Sequence, residues 1–175
     1  MRFLLYCSVI LCIGCSFDYG TDSTEDESPT IVMHNADYIR MENGTLNLRF
    51  EATVLEHFDG RQTMRIENIS FEQFQENTVD ITGHAGTATI ELESRNIVME
   101  DSVTVESLSE NMTIETEYLD WKDSERKLSG TPFEPVHIQK SDGTDIRGQG
   151  FSAQLRTRTV EFSAGVEGTY GSTAE

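Results

Sequence analysis

The sequence predicts an all-β protein built from repeated antiparallel strand units. Apolar and polar residues alternate over most of residues 30–167, which is the period of a strand with one buried face. Three dipeptides typical of tight hairpins, Asn43-Gly44, Asp59-Gly60 and Asp142-Gly143, interrupt this alternation. In addition, residues 79–106 have a second copy near the C-terminus, and no long stretch has the period of a helix.

The repeat has two parts with slightly different offsets. At an offset of 65 residues, Asp80, Ile81, Gly83, Ala88 and Ile90 reappear as Asp145, Ile146, Gly148, Ala153 and Leu155. At an offset of 63 residues, Ile97, Met99 and Val103 reappear as Val160, Phe162 and Val166. Each copy predicts a strand that passes through glycine, a second strand, a polar turn and a third strand that returns beside it. A β unit that cannot bury its own apolar face must stack on its neighbour, although two similar hairpins could also arise by chance.

The first fifteen residues predict an export signal. Arg2 precedes an apolar run over residues 3–13, which is shorter than the roughly 20 residues needed to span a membrane. The run ends in Gly14-Cys15, and residues 11–15 resemble a bacterial lipobox, in which the cysteine receives a diacylglycerol and becomes the first mature residue. Cys15 is therefore the expected lipid anchor. The alternatives are an ordinary secretory signal cleaved nearby or a short uncleaved anchor.

Residues 16–29 predict a flexible tether. This segment has many acids and almost no aliphatic residues, so it cannot offset the entropy lost on ordering. As a coil it would reach on the order of 20 Å. One domain over residues 30–170 and a polar tail over residues 171–175 complete the expected organisation.

Long strands are predicted through the body of the chain. The clearest strand has the inward residues Leu46, Leu48, Phe50, Ala52 and Val54. The pairs Met64 and Ile66, Ile69 and Phe71, and Val79 and Ile81 keep the same period, with register changes expected at Asn68 and near residues 75–77. Pro132 and Pro135 bracket Phe133, which indicates an edge strand or a kinked crossing.

Composition and charge exclude several classes of function. The 175 residues, 37% of them apolar, suffice for one domain with a modest core. The net charge of −18 would repel nucleic-acid phosphates and anionic membrane surfaces, so no nucleic-acid partner is expected. All three cysteines lie in the first fifteen residues, so the folded body has neither a disulfide framework nor a thiolate metal cluster.

No pattern of catalytic or metal-binding residues stands out. His34, His57, His84 and His137 are scattered and interpreted as solvent-facing or strand-end residues, and none has zinc-ligand spacing. No serine lies in a nucleophile elbow, and Gly148-Gln149-Gly150 follows a strand without opening a helix. The sequence therefore predicts a protein that is not an enzyme and that needs no cofactor or metal.

Three segments carry a family resemblance through their order and spacing. They are Gly83 to Gly86 with Ile97 to Val105, Thr116 to Trp121 with Leu128 and Val136-His137-Ile138, and Ile146 to Phe151. Together with the strands from Ile31 to Val54, they resemble LptC, the periplasmic component of the bacterial lipopolysaccharide export system, and the wider OstA-like superfamily. The resemblance covers about residues 30–167.

The resemblance implies a twisted, partly open β-jellyroll whose inward faces form an apolar groove for acyl chains. The residues expected to line this groove are Leu46, Leu48, Phe50, Ala52, Ile90, Leu92, Phe151 and Phe162. Burial of acyl methylenes at about 0.8 kcal/mol each would hold a lipid without site-specific chemistry. The alternative for these residues is an ordinary closed core.

The resemblance also implies a set of partners in the periplasm. They are lipopolysaccharide or a similar glycolipid, the inner-membrane ABC transporter for its export, and a periplasmic OstA-like protein of the LptA type. The C-terminal strand contains neither lysine nor proline, so Val160, Phe162 and Ala164 are the expected partner edge, unless residues 167–175 cover it. The expected location is the periplasm, with the lipid anchor more consistent with the inner membrane. The rival interpretation is a lipid-anchored structural or adhesive surface module.

Overall fold

A single antiparallel sheet accounts for the fold in the computed structural model, which describes residues 28–157 and 159–171. Its ten strands are β1 Ile31–Glu42, β2 Thr45–Phe58, β3 Thr63–Gln75, β4 Thr78–Glu91, β5 Ile97–Ser107, β6 Met112–Lys122, β7 Lys127–Ser129, β8 Pro135–Lys140, β9 Asp145–Gln154 and β10 Thr159–Thr169. Within those described ranges there is no helix with the length and apolarity to cross a membrane.

The strands lie in the sheet in the order in which they occur in the chain. Each strand from β1 to β6 pairs with the next, and β9 pairs with β10. The short strands β7 and β8 share one position, because both pair with β6 on one side and with β9 on the other. Among the described residues, β1 and β10 pair on one side only, so the sheet does not close into a barrel.

The predicted hairpin at Asn43-Gly44 is confirmed. Both residues have a positive φ, 52° for Asn43 and 78° for Gly44, as a two-residue primed turn between twisted strands requires. The turn fixes the register, with Glu42 opposite Thr45. Asp59-Gly60 and Asp142-Gly143 also lie in turns, between β2 and β3 and between β8 and β9.

Both copies of the repeat are hairpins of two long strands, β4–β5 and β9–β10. The two successive strands predicted at the start of each copy are one continuous strand in the structure. The matched glycines have matched surroundings, because a Cβ on Gly83 would meet the Phe71 ring at 2.5 Å and one on Gly148 would meet the Phe162 ring at 2.6 Å. In each copy an aromatic ring on the neighbouring strand therefore covers a glycine.

The stretch around Pro132 and Pro135 is a kinked crossing in the middle of the sheet. It separates β7 from β8, between β6 and β9, and so does not lie at an edge. Hydrogen bonds hold the interruption in place: Gly130 N donates to Phe151 O at 3.0 Å, and Gly150 N donates to Thr131 O at 3.3 Å. The prolines are tolerated there because a break in the ladder needs fewer N–H donors.

An interruption in strand pairing crosses the sheet from β1 to β10. We call this line the crease; it comprises Asn35, Thr53, Asn68, Gly86, Asp101, Ser102, Glu117, residues 130–134, Gly150 and Ser163. Asn35, Asn68, Asp101, Ser102 and Gly150 have φ between 49° and 66°. Side chains bridge it locally, since Asn68 Nδ2 donates to Thr53 Oγ1 at 3.0 Å and Ser102 N donates to Glu117 Oε2 at 3.0 Å.

The crease changes which residues face inward. Buried residues on either side of it are three positions apart in four strands, as in the pairs Ala52 and Leu55, Ile66 and Ile69, Ala85 and Ala88, and Thr116 and Leu119. In β5 the spacing is four, from Met99 to Val103. The prediction that Val54 belongs to the inward face of β2 was therefore wrong. Leu55 takes that place, because the pairing of β2 is interrupted at Thr53 without a shift of register and the inward residues on either side, Ala52 and Leu55, are three positions apart.

The core lies between the two halves of this one sheet. Leu55 is 1% exposed, and Ile66, Leu119 and Val136 are 0% exposed. Since the described residues contain no second sheet and no helix, only the sheet itself can cover this apolar face. The sheet therefore folds over along the crease, as expected for the predicted twisted β-jellyroll. Full burial of each large aliphatic side chain contributes about 1.5–3 kcal/mol.

Candidate functional site

The predicted groove residues occupy two environments. Phe50, Ala52 and Phe151 belong to the buried core, and Leu48, Ile90 and Phe162 are partly buried against it, so the fold brings these six together. Leu46 and Leu92 are half-buried and lie outside this cluster. Leu92 sits in the turn after β4, where its N–H donates to Gln62 O at 2.9 Å.

Besides Phe50 and Phe151, the largest fully buried side chains were not among the predicted groove residues. They are Leu55, Ile66, Val103, Leu119 and Val136, which lie on five different strands. A strict period of two cannot find them all, because the inward set shifts at the crease. Asparagine and glycine in mid-strand, such as Asn68 and Gly86, were the available signal, since these residues mark bulges.

Aromatic rings connect the interior to both edges of the sheet. On the β1 side, Tyr38 stacks on Phe50 with ring centroids 4.7 Å apart and an interplanar angle of 18°. Phe50 in turn lies opposite Phe71 on β3. On the β10 side, the Phe151 and Phe162 centroids are 5.6 Å apart. Each edge strand thus extends an aromatic row that begins in the core.

The apolar face remains uncovered where it reaches the edge strands. On β1, Met33 is 42% exposed although it lies opposite the buried Leu55. On β10, Val160 is 50% exposed opposite Ala153, which packs against the core. Ala164 is also exposed and pairs with Gln149 beside the crease.

The polar face carries a cleft of about 410 Å³ over the strands β2 to β5. Its lining is mostly charged or hydroxylic: Arg49, Glu51, Ser70, Glu72, Thr82, His84, Thr104 and Glu106, with Phe50, Phe71 and Gly83 at its floor. The hydrogen bond to Asp37, with the charges of Asp37 and Glu51, raises the pKa of the Arg49 guanidinium. Such a lining does not suit acyl chains.

His137 does not fit the prediction of a solvent-facing or strand-end histidine, since it lies within β8. Its side chain is 15% exposed and lies between Glu115 Oε2 and Asp145 Oδ1, each 3.1 Å from a ring nitrogen. Hydrogen bonds from His137 and then Gln139 lower the pKa of the Asp145 carboxyl. These contacts link β6, β8 and the start of β9. Within residues 28–157 and 159–171, no group of three or more metal-ligating side chains could hold an ion.

The predicted anchor, Cys15, lies outside the described residues, as do the signal segment and residues 16–27 of the tether. The site is thus the apolar interior with its two exposed edges.

Comparison with known proteins gives a family, one relative in sequence and one solved structure that aligns with this chain. A family model described as lipopolysaccharide-assembly, LptC-related, matches residues 3–171. An uncharacterized protein of Treponema pallidum (strain Nichols) is 25% identical over 145 residues, which are 82% of this chain and 73% of that protein. LptH of Pseudomonas aeruginosa, the LptA homologous periplasmic component of the lipopolysaccharide transport device, aligns with a TM-score of 0.34 and 7% identity, covering 84% of this chain and 98% of LptH.

The family match spans the sheet as well as most of the N-terminal segment. It includes the residues that carried the resemblance, among them Trp121, Val136 and Phe151. This chain belongs to the LptC family of lipopolysaccharide-assembly proteins.

Proposed function

We propose that this protein is the periplasmic component of an export bridge for lipopolysaccharide or a related envelope glycolipid. Membership of the LptC family supports the role in lipopolysaccharide transport. In the proposal, acyl chains pass from an inner-membrane ABC transporter into the apolar interior and then to an OstA-like partner of the LptA type. Cys15 holds the protein at the membrane, and residues 16–29 give it reach.

The observation that carries this proposal is an apolar face that runs through the interior and stays exposed at both edges. Soluble monomers usually protect an edge strand with lysine, proline or a covering segment. β1 and β10 contain neither lysine nor proline, and they expose Ile31, Met41 and Val166 by half or more. A strand added at either edge would gain main-chain hydrogen bonds and lengthen the apolar face.

Acyl chains need no specific chemistry to be held in such an interior. Each buried methylene contributes about 0.8 kcal/mol, so the burial of its methylene groups alone gives an acyl chain a favourable free energy of binding. The aromatic rows from Tyr38 to Phe71 and from Phe151 to Phe162 offer continuous apolar contact towards each edge.

A second candidate is a closed, lipid-anchored structural or adhesive module. The close packing of the central residues favours it, because Ile66, Leu119 and Val136 are fully buried. In that case the interior is an ordinary core. The two candidates differ in whether lipid contacts the inward face in cells.

Photo-crosslinking on the inward and outward faces of the same strands tests the proposal. A photoreactive phenylalanine derivative at Phe162 or Phe71, both partly buried against the core, should capture lipopolysaccharide in intact cells. The same derivative at the adjacent Glu161 or Glu72 should not, because neighbouring residues on a strand face opposite sides. Capture is read by mass spectrometry of the purified protein. Equal capture from both faces, or none from either, would favour the closed module.

A further inference from the structure

We infer that the arginines at one end of the sheet bind the phosphate groups of an amphiphile whose acyl chains enter the interior. The site is formed by Arg95, Arg126 and Arg156, with Arg61 beside them; we call it the arginine rim. The inference rests on the proposed function, because it assigns the headgroup of the lipid that the interior would hold. Four observations carry it.

Basic residues in turns are segregated to one end of the sheet. In an antiparallel meander successive turns alternate between the two ends. The turns at one end, residues 59–62, 92–96, 123–126 and 155–157, each contain one arginine: Arg61, Arg95, Arg126 and Arg156. The turns at the other end, residues 43–44, 76–77, 108–111 and 141–144, contain no lysine or arginine. This segregation occurs in a chain with a net charge of −18.

The four turns at the arginine-bearing end are fastened to one another. Leu92 N donates to Gln62 O at 2.9 Å, and Asp123 N donates to Asn96 Oδ1 at 3.2 Å. Leu155 N donates to Arg126 O at 3.0 Å. Because each turn is tied to the next, the arginines project from a fixed frame, as a preformed binding site requires.

The guanidinium groups converge on the turn over residues 123–126. Arg95 Nη2 lies 3.0 Å from Asp123 Oδ2, and Arg126 Nη1 lies 3.7 Å from Asp123 Oδ1. Arg156 Nη2 donates to Ser124 O at 3.0 Å. A guanidinium has five N–H donors in a planar fork that matches phosphate oxygens, so these contacts leave donors for a ligand. The Arg95 side chain is 68% exposed and that of Arg126 is 51% exposed, which leaves both accessible.

The rim directly borders the apolar interior. Arg126 lies over the Trp121 ring, 5.0 Å from its centroid, and Arg61 lies over the Phe58 ring at 4.4 Å. Trp121 pairs with Ile97 and Leu128, which both pack against the core. A ligand with phosphate at the rim would thus place its chains among the core residues. This arrangement fits a phosphorylated amphiphile better than a free anion.

Acidic side chains at the same end set the size of the expected effect. Asp123 already forms ion pairs with two of the arginines, and Glu93 and Glu125 lie in the same turns. Glu91 is held by Ser94 and Asn96, whose hydrogen bonds lower the pKa of its carboxyl. These negative charges reduce the attraction for phosphate. We therefore expect the rim to contribute about tenfold to affinity, at the low end for charge-assisted contacts.

Binding of lipopolysaccharide and of the same material after enzymatic dephosphorylation tests the inference. The wild type should bind the phosphorylated form about tenfold more tightly. The triple variant Arg95→Gln, Arg126→Gln, Arg156→Gln should lose this difference and keep its affinity for the dephosphorylated form. The double variant Arg40→Gln, Arg147→Gln, on strands outside the rim, is the control and should bind as the wild type does. Circular dichroism checks that each variant is folded.

The possible failures are distinct. If the wild type binds neither the phosphorylated nor the dephosphorylated form, the proposed function itself fails. If it binds both forms equally, or if the triple variant keeps the preference, the interior binds lipid but the rim does not recognise phosphate. Complete displacement of the lipid by pyrophosphate alone would also overturn the assignment, because the site would then prefer a free anion.

One further variant has an effect of opposite sign. Asp123→Asn removes the carboxylate that competes for Arg95 and Arg126 but keeps the side-chain shape. It should tighten binding of the phosphorylated form severalfold and leave the dephosphorylated form unchanged. A purely structural role for Asp123 predicts weaker binding of both forms, which would contradict the inference.

Discussion

At the scale of single residues, Gly150 is the position most constrained by the crease. Its φ of 63° is in the left-handed region, and a Cβ placed on it would collide with Ser163 Oγ on β10. Gly44 shares the positive φ, at 78°, but a Cβ there would meet nothing within 4 Å. The two glycines thus separate the cost of backbone conformation from the cost of crowding.

Alanine substitution at these two positions should therefore give different losses of stability. Gly44→Ala should lower the free energy of unfolding by about 1 kcal/mol, the cost of a left-handed alanine. Gly150→Ala should lower it by about 3 kcal/mol, because the clash adds to that cost. Urea denaturation measures both. Adding Ser163→Gly to Gly150→Ala should recover the difference; no recovery would show that the clash is relieved in some other way.

At the scale of the strand, β10 is the expected joint with the OstA-like partner. Along a strand, adjacent N–H groups point alternately to the two sides, so of two adjacent residues one bonds to β9 and the other faces outward. Val160 and Glu161 are such a pair, opposite Ala153 and Ser152. A proline at the outward position leaves the β9–β10 ladder intact and removes one donor for an incoming strand.

We compare the variants Val160→Pro and Glu161→Pro. The variant that replaces the outward-facing N–H should keep the circular dichroism spectrum and thermal midpoint of the wild type. This folded variant should lose most of its capture of a purified LptA-type protein in a pull-down. Val160→Thr, which keeps the N–H and the branched shape, is the control and should bind normally. Undiminished capture by the folded proline variant would indicate that the partner binds at β1 or on the polar face instead.

How much of this could be predicted from the sequence depends on the kind of signal. The turn at Asn43-Gly44 and the hairpins of the repeat were predictable, because turn chemistry and alternation are local. The switch from Val54 to Leu55 was not, because the pattern marks only Asn68 on β3 and gives no sign that Thr53, opposite it on β2, interrupts the pairing of that strand as well. The arginine rim was also invisible in the sequence, because Arg95, Arg126 and Arg156 meet only when alternate turns gather at one end of the sheet.

At the scale of the whole molecule, the proposal requires a protein held close to a membrane that its own charge would repel. With a net charge of −18, adsorption to an anionic surface is unfavourable, so a covalent lipid is the simplest means of attachment. One acyl group binds membranes only marginally, whereas the several chains of a bacterial lipoprotein hold it stably.

Metabolic labelling with a fatty acid should mark the wild type and not Cys15→Ser. Cys7→Ser is the matched control, since it removes a cysteine outside the lipobox-like residues 11–15 and should remain labelled. The label should be released with the N-terminal peptide of the mature chain. Equal labelling of Cys15→Ser, or loss of the label from Cys7→Ser alone, would contradict the assignment of Cys15.

The crease also affects how this chain should be compared with its relatives. At the crease β5 holds one residue more than β4 and β6, where the register shifts, yet the same face stays inward on both sides. A residue gained or lost at the crease therefore changes only the length of the interruption, whereas one gained elsewhere in a strand turns half of its side chains to the wrong face. Against distant relatives, such as the Treponema pallidum protein at 25% identity, gaps are expected in the middle of strands. An alignment that allows gaps only in the turns would pair outward residues with inward ones over half of each affected strand.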